Sequence, residues 1–236
     1  MTLTVLGCSG SYPTASSAAS GYLVRCGDDS VWLDAGSGTL ANLQRHQALA
    51  RITAIVLTHA HADHWSDVEG YAVAAQYYLK LPPVPVYAPE SVAAHLRDSP
   101  VLDWRTVGDG QRVTAGGMDI FFSRTEHPVE TVAVRIDGGG RSLGYSADTG
   151  PGWSLGALGP GLHTALCEAT VLSKDEGDHG HLSARQAGAM ARAAGVERLV
   201  TTHRAPTVDA AESLAEATVA FGSSVEAAVD HAVYLV

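Results

Sequence analysis

Basic residues are scarce in this chain: 15 Lys and Arg stand against 25 Asp and Glu, a formal net charge of −10, with no basic run anywhere. That deficit argues against non-specific binding to nucleic acid or to an anionic membrane, since both rest on a basic field. Bound divalent cations would still reverse the sign locally. Cysteine is equally sparse. Cys8, Cys26 and Cys167 are odd in number and far apart, which excludes a disulfide framework and a zinc ribbon. They read as buried or inert thiols of a reducing, cytoplasmic compartment. Only seven residues precede Cys8 in VLGCS, none of them Lys or Arg, so no lipoprotein signal is expected. No apolar run approaches the roughly 18 residues of a membrane span. Repeats, low-complexity tracts and linkers are missing as well. The 236 residues are therefore expected to form one domain, 1–236, with chain enough for a full core.

What is present is strand and helix patterning. TLTVL at 2–6, GYLVRC at 21–26 and SVWLD at 30–34 read as strands separated by Gly, Ser and Pro. Leu40, Leu43 and Leu49 predict a helix over 38–50, and ITAIVLT at 52–58 a buried strand. Ser66 followed by Glu69 predicts a capping box that opens a helix over 66–80, closed by Pro82 and Pro83. A strand at 84–88 and a helix at 89–97 follow, then an irregular connection over 98–117. Strands return at 118–125, 131–137 and 141–146, the last two joined by the glycines at 138–140. Strand 164–170, helix 183–195, strand 197–203 and helix 208–221 lead into one or two closing strands. This order predicts an α/β protein of two mixed sheets covered by helices.

The stretch LTHAHADHW at 57–65 sets His59, His61, Asp63 and His64 immediately after the apolar ITAIVL. On a helix, residues two apart diverge; at an extended strand end they point the same way. His59 and His61 can thus grip one cation while Asp63 and His64, past the turn, reach another. Two metals need further donors. His127 in SRTEHPVE, Asp148 in GYSADTG and His203 in VTTHRAP each follow an apolar strand-like run, the placement of loops along one sheet edge.

The ordered set, HxHxDH and then His, Asp and His, resembles the metallo-β-lactamase fold superfamily over essentially the whole chain. The resemblance implies an αββα sandwich of two mixed β-sheets flanked by helices. It assigns His59, His61 and His127 to one metal, Asp63, His64 and His203 to a second, and Asp148 to both. Asp34 in LDAGSG would brace the histidine loop. Two divalent ions lower the pKa of a shared water and neutralise charge on the substrate. No cysteine takes a ligand position. Asp148 in place of a thiolate turns the site toward hard oxygen ligands; zinc is the first choice, with manganese or iron allowed by the same donors. A homodimer is implied as well.

CEAT at 167–170, GHLSARQAG at 180–188 and LVTTH at 199–203 resemble the tRNase Z-like branch of that superfamily. The likeness implies that His181 protonates a leaving oxygen, that Glu168 orients it, and that Asp63 serves as a candidate base besides being a ligand. His179, two residues before His181, is within reach of the cleft, but it reads with His46, His95, His163 and His231 as a surface or satisfied histidine. Trp65 and Trp153 suit pocket walls and packing equally well. Two departures stand out: residues 9–21 carry no positive charge, and the 54 residues between Asp148 and His203 leave no room for an RNA-gripping arm. The opening TVLGCSGSYP and LDAGSGTLANLQRH look similar to small cyclic-phosphate phosphodiesterases. The expected substrate is therefore a small phosphodiester, a cyclic nucleotide or cyclic phosphate, rather than a large RNA. A tRNase Z-type RNA 3′-end endonuclease is the first alternative. A thioester, lactone or β-lactam hydrolase would not need the Glu168–His181 pair. A non-catalytic metal-binding module would not keep all seven metal donors.

Overall fold

The computed structural model describes residues 1–96, 99–177 and 180–236. The first half of the chain supplies strands β1 (Thr2–Gly7), β2 (Gly21–Cys26), β3 (Asp29–Ala35), β4 (Ala54–Val56), β5 (Val84–Ala88) and β6 (Leu102–Thr106). The second supplies β7 (Arg112–Ala115), β8 (Met118–Arg124), β9 (Val132–Gly138), β10 (Arg141–Tyr145), β11 (Thr164–Glu168), β12 (Arg198–Thr202), β13 (Val225–Ala227) and β14 (Val233–Leu235). The helices are α1 (Thr39–Leu43), α2 (Ala62–Trp65), α3 (Asp67–Val73), α4 (Glu90–Ala93), α5 (Ala184–Ala193) and α6 (Ala210–Phe221).

Two seven-stranded sheets result, ordered β14-β1-β2-β3-β4-β5-β6 and β13-β12-β11-β10-β9-β8-β7. In the first, β14 through β3 pair antiparallel and β3 through β6 parallel. In the second, β7 through β10 pair antiparallel and β10 through β13 parallel. Side chains that alternate along each strand sort into three layers of core. Val31 and Leu33 join Val134, Ile136, Leu166 and Val200 between the sheets. Trp32, Ile55 and Leu57, one position out of phase, meet Leu43, Val68 and Tyr71 of α1 and α3. On the far side Ala165, Cys167 and Leu199 meet Ala187, Ala191, Ala217 and Phe221 of α5 and α6. The four-layer αββα sandwich expected from the sequence is the fold observed. Among the described residues, no helix is long and apolar enough to cross a membrane.

Several local expectations need correction. The stretch 98–117, whose first residue lies outside the described ones, is not irregular over 99–117: β6 extends the first sheet and β7 pairs with β8. Both are edge strands with mostly solvated side chains, so the apolar period that marks buried strands is weak there. No capping box forms at Ser66, which sits in helical geometry between α2 and α3 without a side-chain cap. The chain already turns helical at Ala62, and a capping box forms instead at Ser183 with Gln186, opening α5. The helix predicted to Lys80 loosens into π-type winding over Ala74–Leu79 and stops at Lys80, which takes φ 54°. The helix over 38–50 contracts to α1 and a 3-10 turn at Leu49–Arg51. The one over 89–97 contracts to α4, its last residue lying outside the described ones.

Candidate metal centre

The parallel halves of both sheets direct their carboxyl ends to one edge, where loops collect the polar side chains. His59 lies in the extended segment after β4, and His61 precedes α2, a single turn that carries Asp63 and His64. Gly36 lets this turn settle against the β3 end, since a side chain there would collide with the Asp63 carbonyl. His127 follows β8, Asp148 follows β10, and His203 follows β12. Asp34, Ala147 and His203 hold φ of 53°, 51° and 53°. Left-handed backbone costs a non-glycine residue about 1–3 kcal/mol, so the surrounding fold must impose it at all three.

The seven expected donors converge. One ligand atom each from His59, His61, His127 and Asp148 lie within 4.8 Å of one another, and so do those of Asp63, His64 and His203. Asp148 stands between the groups. Its Oδ2 is 3.5 Å from His59 Nε2 and 3.9 Å from His127 Nε2. Its Oδ1 is 3.4 Å from His64 Nε2 and 3.5 Å from His203 Nε2. His64 Nε2 and Asp148 Oδ1 are buried without a hydrogen-bond partner. Two orphaned polar atoms facing each other at the centre of a histidine and aspartate cluster suit a cation between them, because burial without a partner is otherwise costly. These residues can hold divalent metal ions.

The rear nitrogens are held from behind. His64 Nδ1 donates to Asp34 Oδ2 at 2.7 Å and His127 Nδ1 to the Gly180 carbonyl at 2.8 Å. Hydroxyls of Thr58 and Thr170 hold His59 Nδ1 and His203 Nδ1 at 3.0 and 2.9 Å. Each arrangement turns Nε2 to the front and fixes the ring. Asp34 also accepts the Thr58 N–H and hydroxyl and the Tyr145 hydroxyl, so four donors converge on it behind the histidine loop. Thr58, Thr170 and Tyr145 were not singled out beforehand, although all three lie inside the motifs. The signal was adjacency: each is one to three residues from a donor or from Glu168.

Charge in the site is crowded. Burial alone would lower the His64 pKa, but the carboxylates of Asp148, Asp34 and Asp63 outweigh it and push it up to about 10. Burial and the neighbouring imidazolium of His64 hold His59 well below its usual value. Asp148 is driven down despite its burial, by His203, His64 and His59 around it. A cation would take the place of the proton that these carboxylates draw onto His64.

Glu168 is fully buried and spends both oxygens. Oε1 accepts from the Thr149 N–H and from His181 Nδ1 at 3.1 Å; Oε2 accepts from the Thr170 hydroxyl and the Leu182 N–H. His181 Nδ1 lies 4.0 Å from Asp148 Oδ2, and its side chain is 20% exposed. Glu168 raises His181 to about 9 against the effect of burial.

The other singled-out residues pack elsewhere. His46 and His231 pair at 3.0 Å, His163 accepts the Ser142 N–H, and His95 stacks on Trp65. Trp153 is buried in the far core and donates to Ser123, so it is a packing residue. Burial pushes the thiols of Cys8 and Cys167 up to about 12, in line with inert cysteines. His179 lies outside the described residues.

Comparison with known proteins identifies the family. The family model of the beta-lactamase superfamily domain matches residues 30–204. An uncharacterised protein of Mycobacterium leprae is 36% identical over 244 residues, 96% of this chain and 86% of that protein. YhfI of Bacillus subtilis, named as a metallo-hydrolase, is 32% identical over 214 residues, 86% of either chain. Its crystal structure, described as a metallo-beta-lactamase fold protein, gives a TM-score of 0.92 at 28% identity, over 99% of this chain and 98% of that one. Ribonuclease Z of Mycolicibacterium gilvum is 30% identical over 246 residues, 87% of this chain and 85% of that enzyme.

Proposed function

The chain belongs to the metallo-β-lactamase superfamily, on its tRNase Z-like branch, and from that premise we propose a binuclear metal-dependent hydrolase of small phosphodiesters, cyclic nucleotides or cyclic phosphates. His59, His61 and His127 would hold one cation, and Asp63, His64 and His203 the other, with Asp148 shared. The all-nitrogen and oxygen donor set suits zinc first and admits manganese or iron. Bound there, two divalent cations would bring the pKa of a water toward neutrality and offset charge building on the phosphate.

The observation that carries the phosphodiester reading is the His181–Glu168 pair beside Asp148. An alkoxide leaves phosphorus poorly, so a proton delivered to the departing oxygen lowers the barrier, by about 10²- to 10⁴-fold for a well-placed acid. Glu168 takes His181 Nδ1–H, which leaves Nε2–H to be given up. Thr149, Thr170 and Leu182 fix Glu168 in turn. Asp63, whose Oδ2 lies 3.3 Å from His203 Nε2, remains the candidate to take the proton that the attacking water loses, besides serving as a ligand.

The likeness to ribonuclease Z favours RNA 3′-end cleavage as a second reading. The net charge of −10 and the uncharged stretch 9–21 weigh against gripping a large polyanion. Membership of this branch also supports a homodimer. The exposed ridge of Val73, Tyr77, Tyr78 and Leu79 is a candidate contact, and light scattering would test it.

Hydrolysis of 3′,5′-cyclic AMP to AMP by metal-loaded protein tests the proposal, with Asp148→Ala as the blank. Turnover absent from the blank supports it. No turnover, with cleavage of a tRNA precursor or a thioester instead, would replace it by that activity.

A further inference from the structure

Beside His127 the surface opens into a cavity of about 540 Å³ bounded by Glu126, Pro128, Gly150, Pro151 and Gly180. It adjoins the donor cluster directly: His127 Nε2 lies 3.2 Å from His61 Nδ1, while its Nδ1 donates to Gly180 at the cavity rim. The space depends on absent side chains. A Cβ at Gly180 would stand 2.7 Å from Pro128 Cδ, and one at Gly150 would stand 2.6 Å from Glu126 Oε2. Pro128 and Pro151 leave stiff apolar walls that suit a flat ring.

Glu126 is the one formally charged side chain of the lining among the described residues. Its carboxylate lies on the backbone of the loop after Asp148. Oε2 accepts the Gly152 N–H at 2.5 Å, and the Glu126 carbonyl accepts the Gly150 N–H at 2.6 Å. Oε1 accepts no hydrogen bond among the described residues. A carboxylate offers acceptors only, so Glu126, an exposed side chain of the lining, sets a negatively charged acceptor beside whatever enters.

Resting on the phosphodiesterase reading, we infer that this cavity receives the part of the substrate away from the attacked phosphorus, and that Glu126 selects a hydroxyl or amino group there. The same carboxylate repels a second phosphate, for which the described lining offers no cation. The substrate class narrows to phosphodiesters with one phosphate and a neutral, donor-bearing remainder, the chemistry of a nucleoside.

Three chromogenic esters test this with metal-loaded enzyme: thymidine 5′-(p-nitrophenyl phosphate), the same ester with an added 3′-phosphate, and bis(p-nitrophenyl) phosphate. The wild type is expected to favour the first over the second in kcat/KM by at least about tenfold, the scale of one charge-assisted hydrogen bond. Glu126→Gln keeps an acceptor for Gly152 but loses the charge, and should shrink that ratio about tenfold, mainly through KM. An unchanged ratio with both rates falling together would reduce Glu126 to a loop tie and overturn the inference alone. A wild type that cleaves the 3′-phosphorylated ester as well as the plain one would overturn it without any variant. If none of the esters, bis(p-nitrophenyl) phosphate included, is hydrolysed, the phosphodiesterase reading falls and takes this inference with it.

Discussion

Tyr145, at the end of β10, donates its hydroxyl to Asp34 Oδ2 at 2.9 Å, across the seam between the two sheets. The same oxygen receives His64 Nδ1, so the relative seating of the sheets and the orientation of a candidate ligand share one atom.

Tyr145→Phe should therefore weaken two things together. Losing a buried hydrogen bond to a charged group costs about 1.5–3 kcal/mol of folding stability. Disturbing a group that orients a ligand typically costs about 10- to 100-fold in metal affinity. Thermal denaturation and metal titration of one preparation read both, and a normal affinity in a destabilised variant would separate the sheets' seam from the metal centre.

The split contacts of Asp148 predict unequal stoichiometries. His61→Ala should leave about one ion per chain, because His61 serves only the first group of donors. Asp148→Ala should compromise both sites, since its two oxygens face different groups. Elemental analysis after dialysis distinguishes them. Chelation of the wild type should also lower its melting temperature, as each ion at 1,000 times its Kd adds about 4 kcal/mol.

Activity should depend on pH through His181. Only the protonated ring can act as an acid, so kcat should fall as pH rises through its pKa, about 9 in the metal-free protein. Nearby cations disfavour the proton, which brings the midpoint below that value when metal is bound. His181→Ala should lower kcat by about 10²- to 10⁴-fold and abolish the alkaline limb. A limb that survives the substitution would belong to another group.

A separate pH effect concerns stability. Burial, the facing His231, and Arg25 and Arg45 hold His46 below its ordinary pKa. Unfolded, His46 takes a proton near pH 6.5, where the folded protein resists one. The unfolded state then binds more protons, so stability falls as pH drops below about 6.5 and is fully present above it. His46→Gln should flatten the decline of the melting temperature between about pH 6.5 and 5, a window that follows from the same linkage.

Strands with a strict in-out period were legible from the residues alone. Val31, Leu33 and Trp32 announce two buried faces, and the structure places them in two different core layers. Edge strands were not: in β6, Asp103, Arg105 and Thr106 face solvent as residues of a loop would. The histidine cluster was legible because few alternatives explain four polar ligating groups after an apolar strand. Ser66 misled because a serine with a glutamate three residues on describes a helix start equally well inside a helix already begun at Ala62. The hydroxyls of Thr58 and Thr170 had only their adjacency to His59 and Glu168 to mark them. Threonine is common in strands, and only a fold that turns them toward ring nitrogens gives them a task.

The two sheets meet at the donor cluster as equals. His59 and His61 come from the first half of the chain and His127 from the second; Asp63 and His64 from the first and His203 from the second. Asp148, also from the second half, faces both groups. Neither half carries a complete set for either ion. A cation seated there would act as a rivet through two plates, to be driven only after they are aligned. Tight metal uptake should thus be the last event of assembly, and two fragments of this chain cut between β6 and β7 should bind metal tightly only when mixed.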